Sequence, residues 1–217
     1  MPSIVITCRS VVDGCYLTLL IISCLGLIVT LNRFISFFTW IFRTCFRSEK
    51  NLLRSYGSWA LVTGATNGIG KAFAHQLAQR GLNLILVSRS FQKLKTVAGE
   101  IKAKHPGTRV KIVEMDFAGD LTEGLRRVEE ASEGLDVGVL INNVGITYPR
   151  AMFFHEVEEK VWRNIVRVNI EGTTRVTKIV LRGMLQRRKG AIVNIGSGAS
   201  VVVPSHPLFT IYAASKA

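Results

Sequence analysis

Trp59-Ala60-Leu61-Val62-Thr63-Gly64-Ala65-Thr66-Asn67-Gly68-Ile69-Gly70 is the stretch whose reading decides the fold. Its first four residues form a short apolar run of the kind that fills a parallel strand buried on both faces. Thr63 and Gly64 close the run, Gly68 and Gly70 follow, and a helical pattern opens at Ile69. Strand, glycine-rich turn and helix together set a phosphate at a helix N-terminus. There, unpaired backbone N–H groups and the positive end of the dipole meet the anion. In that geometry Gly64 permits the tight turn, Gly68 admits a phosphate close to the backbone, and Gly70 lets helix and strand pack closely. The spacing is Gly-x3-Gly-x-Gly rather than Gly-x-Gly-x-x-Gly. Taken alone, the loop is also compatible with a turn that holds no ligand.

Downstream, strands and helices alternate. Phe73, Leu77 and Ala78 give a helix its apolar face, and Gly81 after Arg80 reads as its stop. Residues 82–87 read as a second buried strand, 91–104 as a helix and His105-Pro106-Gly107 as a turn. A third strand over 110–115 ends at Asp116, and an amphipathic helix spans 121–132. A fourth strand over 137–141 ends in Asn142-Asn143-Val144-Gly145. A long helical pattern covers 156–186, and a fifth strand over 191–195 leads into Gly196-Ser197-Gly198. Repeated βαβ units predict an α/β fold, a doubly wound parallel sheet of the Rossmann kind covered on both faces.

Upstream the chain changes character. Residues 15–31 carry no charge and are rich in Leu and Ile; Asn32-Arg33 interrupt; residues 34–42 are again apolar and aromatic. Together they are long enough to cross a bilayer core of ~30 Å. A cleavable signal peptide is the competing reading. The lack of a small-x-small cleavage site and the second apolar block speak against it. The expectation is a retained transmembrane anchor, either one long tilted helix or a span plus an interfacial helix. Arg9 and Asp13 precede the span, and Arg43, Arg47, Lys50 and Arg54 follow it. The positive-inside rule therefore sets the following residues in the cytosol. The predicted organisation is an anchor and linker over 1–56 and a globular domain over 57–217, with Ser55-Tyr56-Gly57-Ser58 as the short link into the first strand.

The 217 residues are 48% apolar, with net charge +13 and pI about 10.1, which suits one domain plus an appendage. A strongly basic chain invites a nucleic-acid reading, but the cations are scattered. Their densest run, Arg187-Arg188-Lys189, falls at a predicted helix end, where cations suit the dipole. Solvated surface accounts for most of the surplus, with anionic small molecules and lipid headgroups as partners rather than nucleic acid. Cys8, Cys15, Cys24 and Cys45 all lie in or beside the apolar N-terminal sequence. No Cys-x-x-Cys or paired-His spacing accompanies them, so neither a metal site nor a disulfide framework is expected.

Four stretches, in order and at successive strand ends, resemble the short-chain dehydrogenase/reductase superfamily. They are the loop from Thr63 to Gly70, Asn142-Asn143-Val144-Gly145, a serine after strand five, and Tyr212-Ala213-Ala214-Ser215-Lys216. More narrowly, Tyr56-Gly57-Ser58-Trp59-Ala60, Lys71-Ala72-Phe73-Ala74, Met115-Asp116-Phe117, Gly134-Leu135-Asp136-Val137-Gly138 and Ile192-Val193-Asn194-Ile195-Gly196-Ser197-Gly198 are similar to the membrane-anchored very-long-chain 3-oxoacyl-CoA reductases of plants. These are relatives of steroid 17-beta-hydroxy dehydrogenases of the endoplasmic reticulum. The resemblance implies reduction of long 3-oxoacyl-CoA in fatty acid elongation at the endoplasmic reticulum membrane, beside other elongation enzymes, with a homodimer left open. A steroid or other lipid ketone reductase and a non-catalytic nucleotide-binding protein are the alternatives.

Ketone reduction needs a hydride donor, a proton donor and polarisation of the carbonyl oxygen. The resemblance assigns the hydride to a nicotinamide and the proton to Tyr212. A phenol normally titrates near ~10, too high to serve easily at neutral pH. Lys216 lies one helical turn on, and its charge would favour the phenolate. The family's lysine also bonds the nicotinamide ribose. Ser197 would hold the substrate oxygen, and Asn169 matches the helix asparagine of the family's proton relay. Gly64, Thr66, Asn67, Gly68, Ile69 and Gly70 form the implied cofactor loop. Asp116 matches the adenine-pocket acid and Asn143 the asparagine that steadies the sheet beside the cofactor. The end of strand two reads Val87-Ser88-Arg89-Ser90, with no carboxylate for ribose hydroxyls. A guanidinium there suits a 2′-phosphate, so NADPH is the expected cofactor.

Two departures from the family pattern stand out. Val144 replaces the usual alanine, and Ser197 and Tyr212 are separated by a loop containing Pro204 and Pro207, with Ser200 and Ser205 as rival serines. Family members continue well past the tyrosine helix. The expectation is a C-terminally incomplete domain with poor folding and no turnover as a bare polypeptide.

Overall fold

The computed structural model describes residues 2–46, 50–201 and 207–217, with side chains from Tyr16 onward except Leu17. Arg47, Pro204 and Ser205 lie outside the described residues, as do the side chains of Cys8, Arg9, Asp13 and Cys15. The chain divides into two compact units, Met1–Glu49 and Lys50–Ala217.

The first unit is one helix, α1 (Pro2–Cys45). Of the two arrangements the sequence left open, the single helix is the one found, because neither Asn32 nor Arg33 breaks a helix. Within it, Thr18–Cys45 is long and apolar enough to cross a membrane, with mean hydropathy 2.0 over an 18-residue window. At 1.5 Å per residue it reaches ~42 Å, more than a ~30 Å hydrocarbon core requires. Leu20, Ile28, Phe34, Phe38 and Trp40 point outward all around it. The Thr30, Thr39 and Thr44 hydroxyls donate to the carbonyls of Gly26, Ile35 and Trp40, four residues back. Those polar groups are thus satisfied inside the helix, as hydrocarbon surroundings demand.

The second unit is built on five parallel strands, β1 (Trp59–Thr63), β2 (Asn83–Ser88), β3 (Val110–Glu114), β4 (Val137–Asn142) and β5 (Ala191–Asn194), in the order β3-β2-β1-β4-β5. Successive side chains leave a strand on opposite faces, and both faces are used. Ala60, Val62, Leu84 and Leu86 pack with Ala74, Leu77, Leu94 and Ile101 of α3 (Gly68–Gln79) and α4 (Phe91–Lys104). Leu61, Ile85, Val87 and Leu140 pack with Leu121, Val128, Val176 and Val180 of α5 (Leu121–Ser132) and α7 (Thr173–Arg187). This double burial is why β1 and β4 read as continuous apolar runs. The strand order reverses between β1 and β4, the place where open α/β sheets leave a crevice for ligands.

Two features differ from the sequence-level expectation. The linker Ser55-Tyr56-Gly57-Ser58 is not free: Ser55 ends α2 (Leu52–Ser55), which is capped by the Asn51 side chain, and Leu52 and Tyr56 pack onto the α3/α4 side of the core. Gly138 admits this entry, since a Cβ there would stand 2.1 Å from the Tyr56 carbonyl oxygen. The helical pattern over 156–186 is broken into a 3₁₀ turn (Phe154–Glu156), α6 (Glu159–Ile165), a π-helical segment (Val166–Gly172) and α7. Its mean periodicity survives, and one wide turn is invisible in it. After β5 come α8 (Gly198–Val201), a 3₁₀ turn (Pro207–Phe209) and α9 (Thr210–Ser215).

Candidate active site

The turn after β1 takes the form its glycines allow. Gly64 has φ +64°, and Gly68, the first residue of α3, has φ +52°, a region costly for any residue bearing a Cβ. Gly70 is excluded from substitution by packing instead: its Cβ would stand 2.3 Å from the Gly64 carbonyl oxygen. A Cβ at Gly68 would meet nothing within 4 Å, so the backbone there is open to a ligand. Asn67 caps α3 by accepting from the Gly68 amide at 2.9 Å. The next first-turn amides, at Ile69 and Gly70, have no acceptor within the helix. Asn67, Gly68 and Ile69 are exposed.

Asn143 ties the end of β4 to this turn. Its Nδ2 donates to the carbonyls of Thr63 (3.0 Å) and Gly64 (3.2 Å). Thr63 Oγ1 in turn accepts from the amides of Asn143 (3.0 Å) and Val144 (3.1 Å). A groove of about 260 Å³ runs over these strand ends, lined by Gly64, Thr66, Arg89, Asp116, Asn143 and Gly145, among others. At one corner Thr66 and Ser88 share a hydroxyl–hydroxyl contact of 3.1 Å. Arg89 is exposed there, without a hydrogen bond or ion pair among the described residues. Asp116 Oδ1 accepts from the Ala118 amide at 3.0 Å, a short local turn that fixes the carboxylate after β3. A larger hollow of about 670 Å³ lies between α5 and α7. None of the predicted site residues lines it, and of its lining cations Arg126 is paired with Glu123 and Glu130 and Arg175 with Glu171.

At the other end of the groove the C-terminal residues close in on Gly145. Lys216, the C-cap of α9, donates from Nζ to the carbonyls of Ile195 (3.1 Å) and Val144 (3.5 Å), at the ends of β5 and β4. Burial pushes this ammonium below its ordinary pKa. Asn169, in the π-helical segment, is buried. Its Oδ1 accepts from the Ile146 amide at 2.9 Å, and its Nδ2 donates to the Ile146 carbonyl (3.0 Å) and to Ser215 Oγ (2.8 Å). The unfavourable mid-helix asparagine thus serves as a clamp between the β4 loop and α9. Ser197 Oγ accepts from the Ala199 amide at 3.2 Å, which leaves its proton to donate. The rival Ser200 is committed elsewhere, its Oγ within reach of the carbonyls of Ser197 (2.7 Å) and Lys216 (2.8 Å). Tyr212 is half-buried with its ring edge against Phe209. Among these residues no hydrogen bond joins Ser197 Oγ, the Tyr212 hydroxyl and Lys216 Nζ to one another.

Three residues without a predicted role hold this arrangement together. Thr63 sits inside the motif but reads as an ordinary strand end. Gly145 is needed because a Cβ would come 2.7 Å from Lys216 Nζ and 3.4 Å from Asn169 Oδ1. Ser215 carries no local signal, since its partner Asn169 is 46 positions away.

A family model for short chain dehydrogenase matches residues 58–217. The chain belongs to the short-chain dehydrogenase family. Within it, the chain is 57% identical over 184 residues to a very-long-chain 3-oxoacyl-CoA reductase-like protein of Arabidopsis thaliana, covering 85% of this chain and 58% of that one. It is 44% identical to the human inactive hydroxysteroid dehydrogenase-like protein 1, covering 78% of this chain and 50% of that one. Among solved structures, a short-chain dehydrogenase from Sphingobium yanoikuyae in complex with NADPH is 31% identical with a TM-score of 0.65, over 73% of this chain and 60% of that one. The chain spans about half the length of the curated relatives it matches.

Proposed function

We propose that this chain carries the nucleotide-binding and proton-transfer part of a membrane-anchored reductase that uses NADPH to convert very-long-chain 3-oxoacyl-CoA to 3-hydroxyacyl-CoA. The observation that carries this reading is the convergence of Lys216 and Asn169 on Gly145, beside the groove over the strand ends. The open backbone at Gly68, the first-turn amides of α3 and Arg89, which has no partner among the described residues, would supply donors for phosphates. Asp116 suits an adenine edge, and Asn143 keeps the strand ends rigid. When bound, the nicotinamide would supply the hydride for the C3 carbonyl carbon. The Tyr212 hydroxyl would give its proton to the developing alkoxide, and Ser197 would donate a hydrogen bond to the same oxygen. Lys216 has three donors, two of them on carbonyls. The third would face the ribose, and the charge would stabilise the phenolate left behind.

The anchor suits such substrates, since long acyl chains partition into bilayers. Arg43, Lys50 and Arg54 after the span argue for a cytosolic catalytic unit, at the endoplasmic reticulum by the likeness to very-long-chain reductases. The similarity to a human relative named inactive, and the absence of a direct Ser197–Tyr212–Lys216 hydrogen bond, favour one second reading: nucleotide binding without turnover. Membranes bearing the chain, fed NADPH with 3-oxoacyl-CoA esters of graded length and with steroid ketones, separate the readings. NADPH consumption matched by 3-hydroxyacyl-CoA is expected. Consumption with steroids alone moves the substrate class, and NADPH binding with no product from any ketone leaves only the second reading.

A further inference from the structure

We infer that Tyr148 is a positioning residue for Tyr212: its phenol oxygen caps the helix that carries Tyr212, and its ring, through Phe209, braces the Tyr212 ring. This rests on the assignment of Tyr212 as the proton donor. The need for such a device comes from α9 itself. It has six residues, and its N-cap, Phe209, offers no side-chain acceptor. A single turn is unstable unless packing or capping holds it, and its first amides have no partner within the helix.

Tyr148 supplies what the local sequence lacks. It lies in the connection between β4 and α6 and is 3% exposed. Its hydroxyl oxygen accepts from the Ile211 amide at 3.1 Å, the residue immediately before Tyr212. A side-chain oxygen normally reaches such an amide from the N-cap position; here it arrives from 63 residues away. The ring then continues the contact. Tyr148 stacks on Phe209 with centroids 5.7 Å apart and planes at 25°. Phe209 meets Tyr212 edge-on at 6.5 Å and 69°, both arrangements that aromatic quadrupoles favour. A backbone bond from the Met152 amide to the Leu208 carbonyl, 3.1 Å, fastens the same two segments. Ile146, Trp162 and Ile211 pack around the buried Tyr148. The phenol therefore sets the start of α9 along the chain and limits the rotation of the Tyr212 ring sideways.

The experiment compares the full chain, in detergent, with Tyr148→Phe, which keeps the ring and removes only the acceptor oxygen, and with Phe209→Leu, which keeps the oxygen and removes the brace. The tyrosines are replaced by 3-fluorotyrosine, and the Tyr212 fluorine resonance is assigned with Tyr212→Phe. In Tyr148→Phe, amide exchange at Ile211 is expected to accelerate roughly fivefold to tenfold, the loss of one hydrogen bond. In both variants the Tyr212 resonance is expected to shift or broaden. NADPH binding should stay within about twofold, because the groove is built on other strand ends. Where turnover is measurable, kcat should fall with KM for the ketone little changed. Unchanged Ile211 exchange together with an unchanged Tyr212 resonance would overturn the inference. So would loss of NADPH binding in step with loss of the folded spectrum in both variants, which would make Tyr148 a core residue and nothing more. A wild-type chain that turns over no ketone defeats the proposed reaction, while the exchange and fluorine readouts still decide the positioning.

Discussion

A methyl group added at Gly145 would sit 2.7 Å from Lys216 Nζ and 2.9 Å from its Cε, so Gly145→Ala must displace the ammonium. Displacement of a catalytic group by about 1 Å costs on the order of a hundredfold in rate. Turnover of Gly145→Ala is expected to fall by about that factor while NADPH affinity changes less than about tenfold, the result of comparing kcat with a fluorescence titration. Arg89 lies at the other end of the groove. Removing a guanidinium that meets a phosphate forfeits a charge-assisted bond. Arg89→Ala should weaken NADPH roughly tenfold or more and leave NADH within about twofold; an unaltered preference between the two would assign the corner another role. Much of this scale is legible in sequence. Arg89 stands out because a corner that often carries a carboxylate carries a cation. Gly145 shows no such contrast, because what forbids its side chain is Lys216, 71 positions later.

At the scale of elements, the entry to β1 depends on one ion. Asp136 accepts from the Ser58 amide at 2.7 Å and from the Ser58 hydroxyl. Burial is the largest influence and works to raise this carboxyl, yet the two bonds from Ser58, its own backbone amide and the Arg187 charge together outweigh it, and the group titrates below its ordinary value. A depressed acid pKa stabilises the fold above the unfolded pKa of about 3.9, and that contribution is lost as pH falls through the folded value. The melting temperature should therefore drop on acidification below about pH 4, and Asp136→Asn should flatten that limb. Ser58→Ala should cost about 1.5–3 kcal/mol at neutral pH, the range for a bond to a charged group; equal acid limbs in wild type and Asp136→Asn would exclude the mechanism. Strands and helices of this unit were readable because apolar runs and 3.6-residue stripes declare themselves locally. The π-helical segment was not. Its wide turn is held by Asn169, which bonds Ile146 and Ser215, and those partners are brought to it only by folding.

For the whole molecule, α1 is the strongest physical commitment. Among the described residues Thr18–Cys45 forms the one helix long and apolar enough to cross a bilayer. Membranes carrying the chain should retain it through alkaline carbonate extraction. Leu25→Asp with Ile28→Asp should release it, since each central carboxylate costs about 2.5–3.5 kcal/mol on insertion scales; release of the wild type would exclude a span. The sequence by itself determined this apolar helix, the alternation of strands and helices, the glycine turn and the family. All of these rest on residues adjacent in the chain, or one helical turn apart, whose chemistry acts before any distant contact forms. Only the tertiary structure decided that α2 belongs to the globular unit, that Asn169 clamps α9 through Ser215, that Ser200 is occupied while Ser197 is free to donate, and that Tyr148 reaches the amide before Tyr212. Each of those depends on which strand ends lie side by side in the order β3-β2-β1-β4-β5. Parallel pairing brings residues dozens of positions apart within 3 Å, and no local periodicity records that.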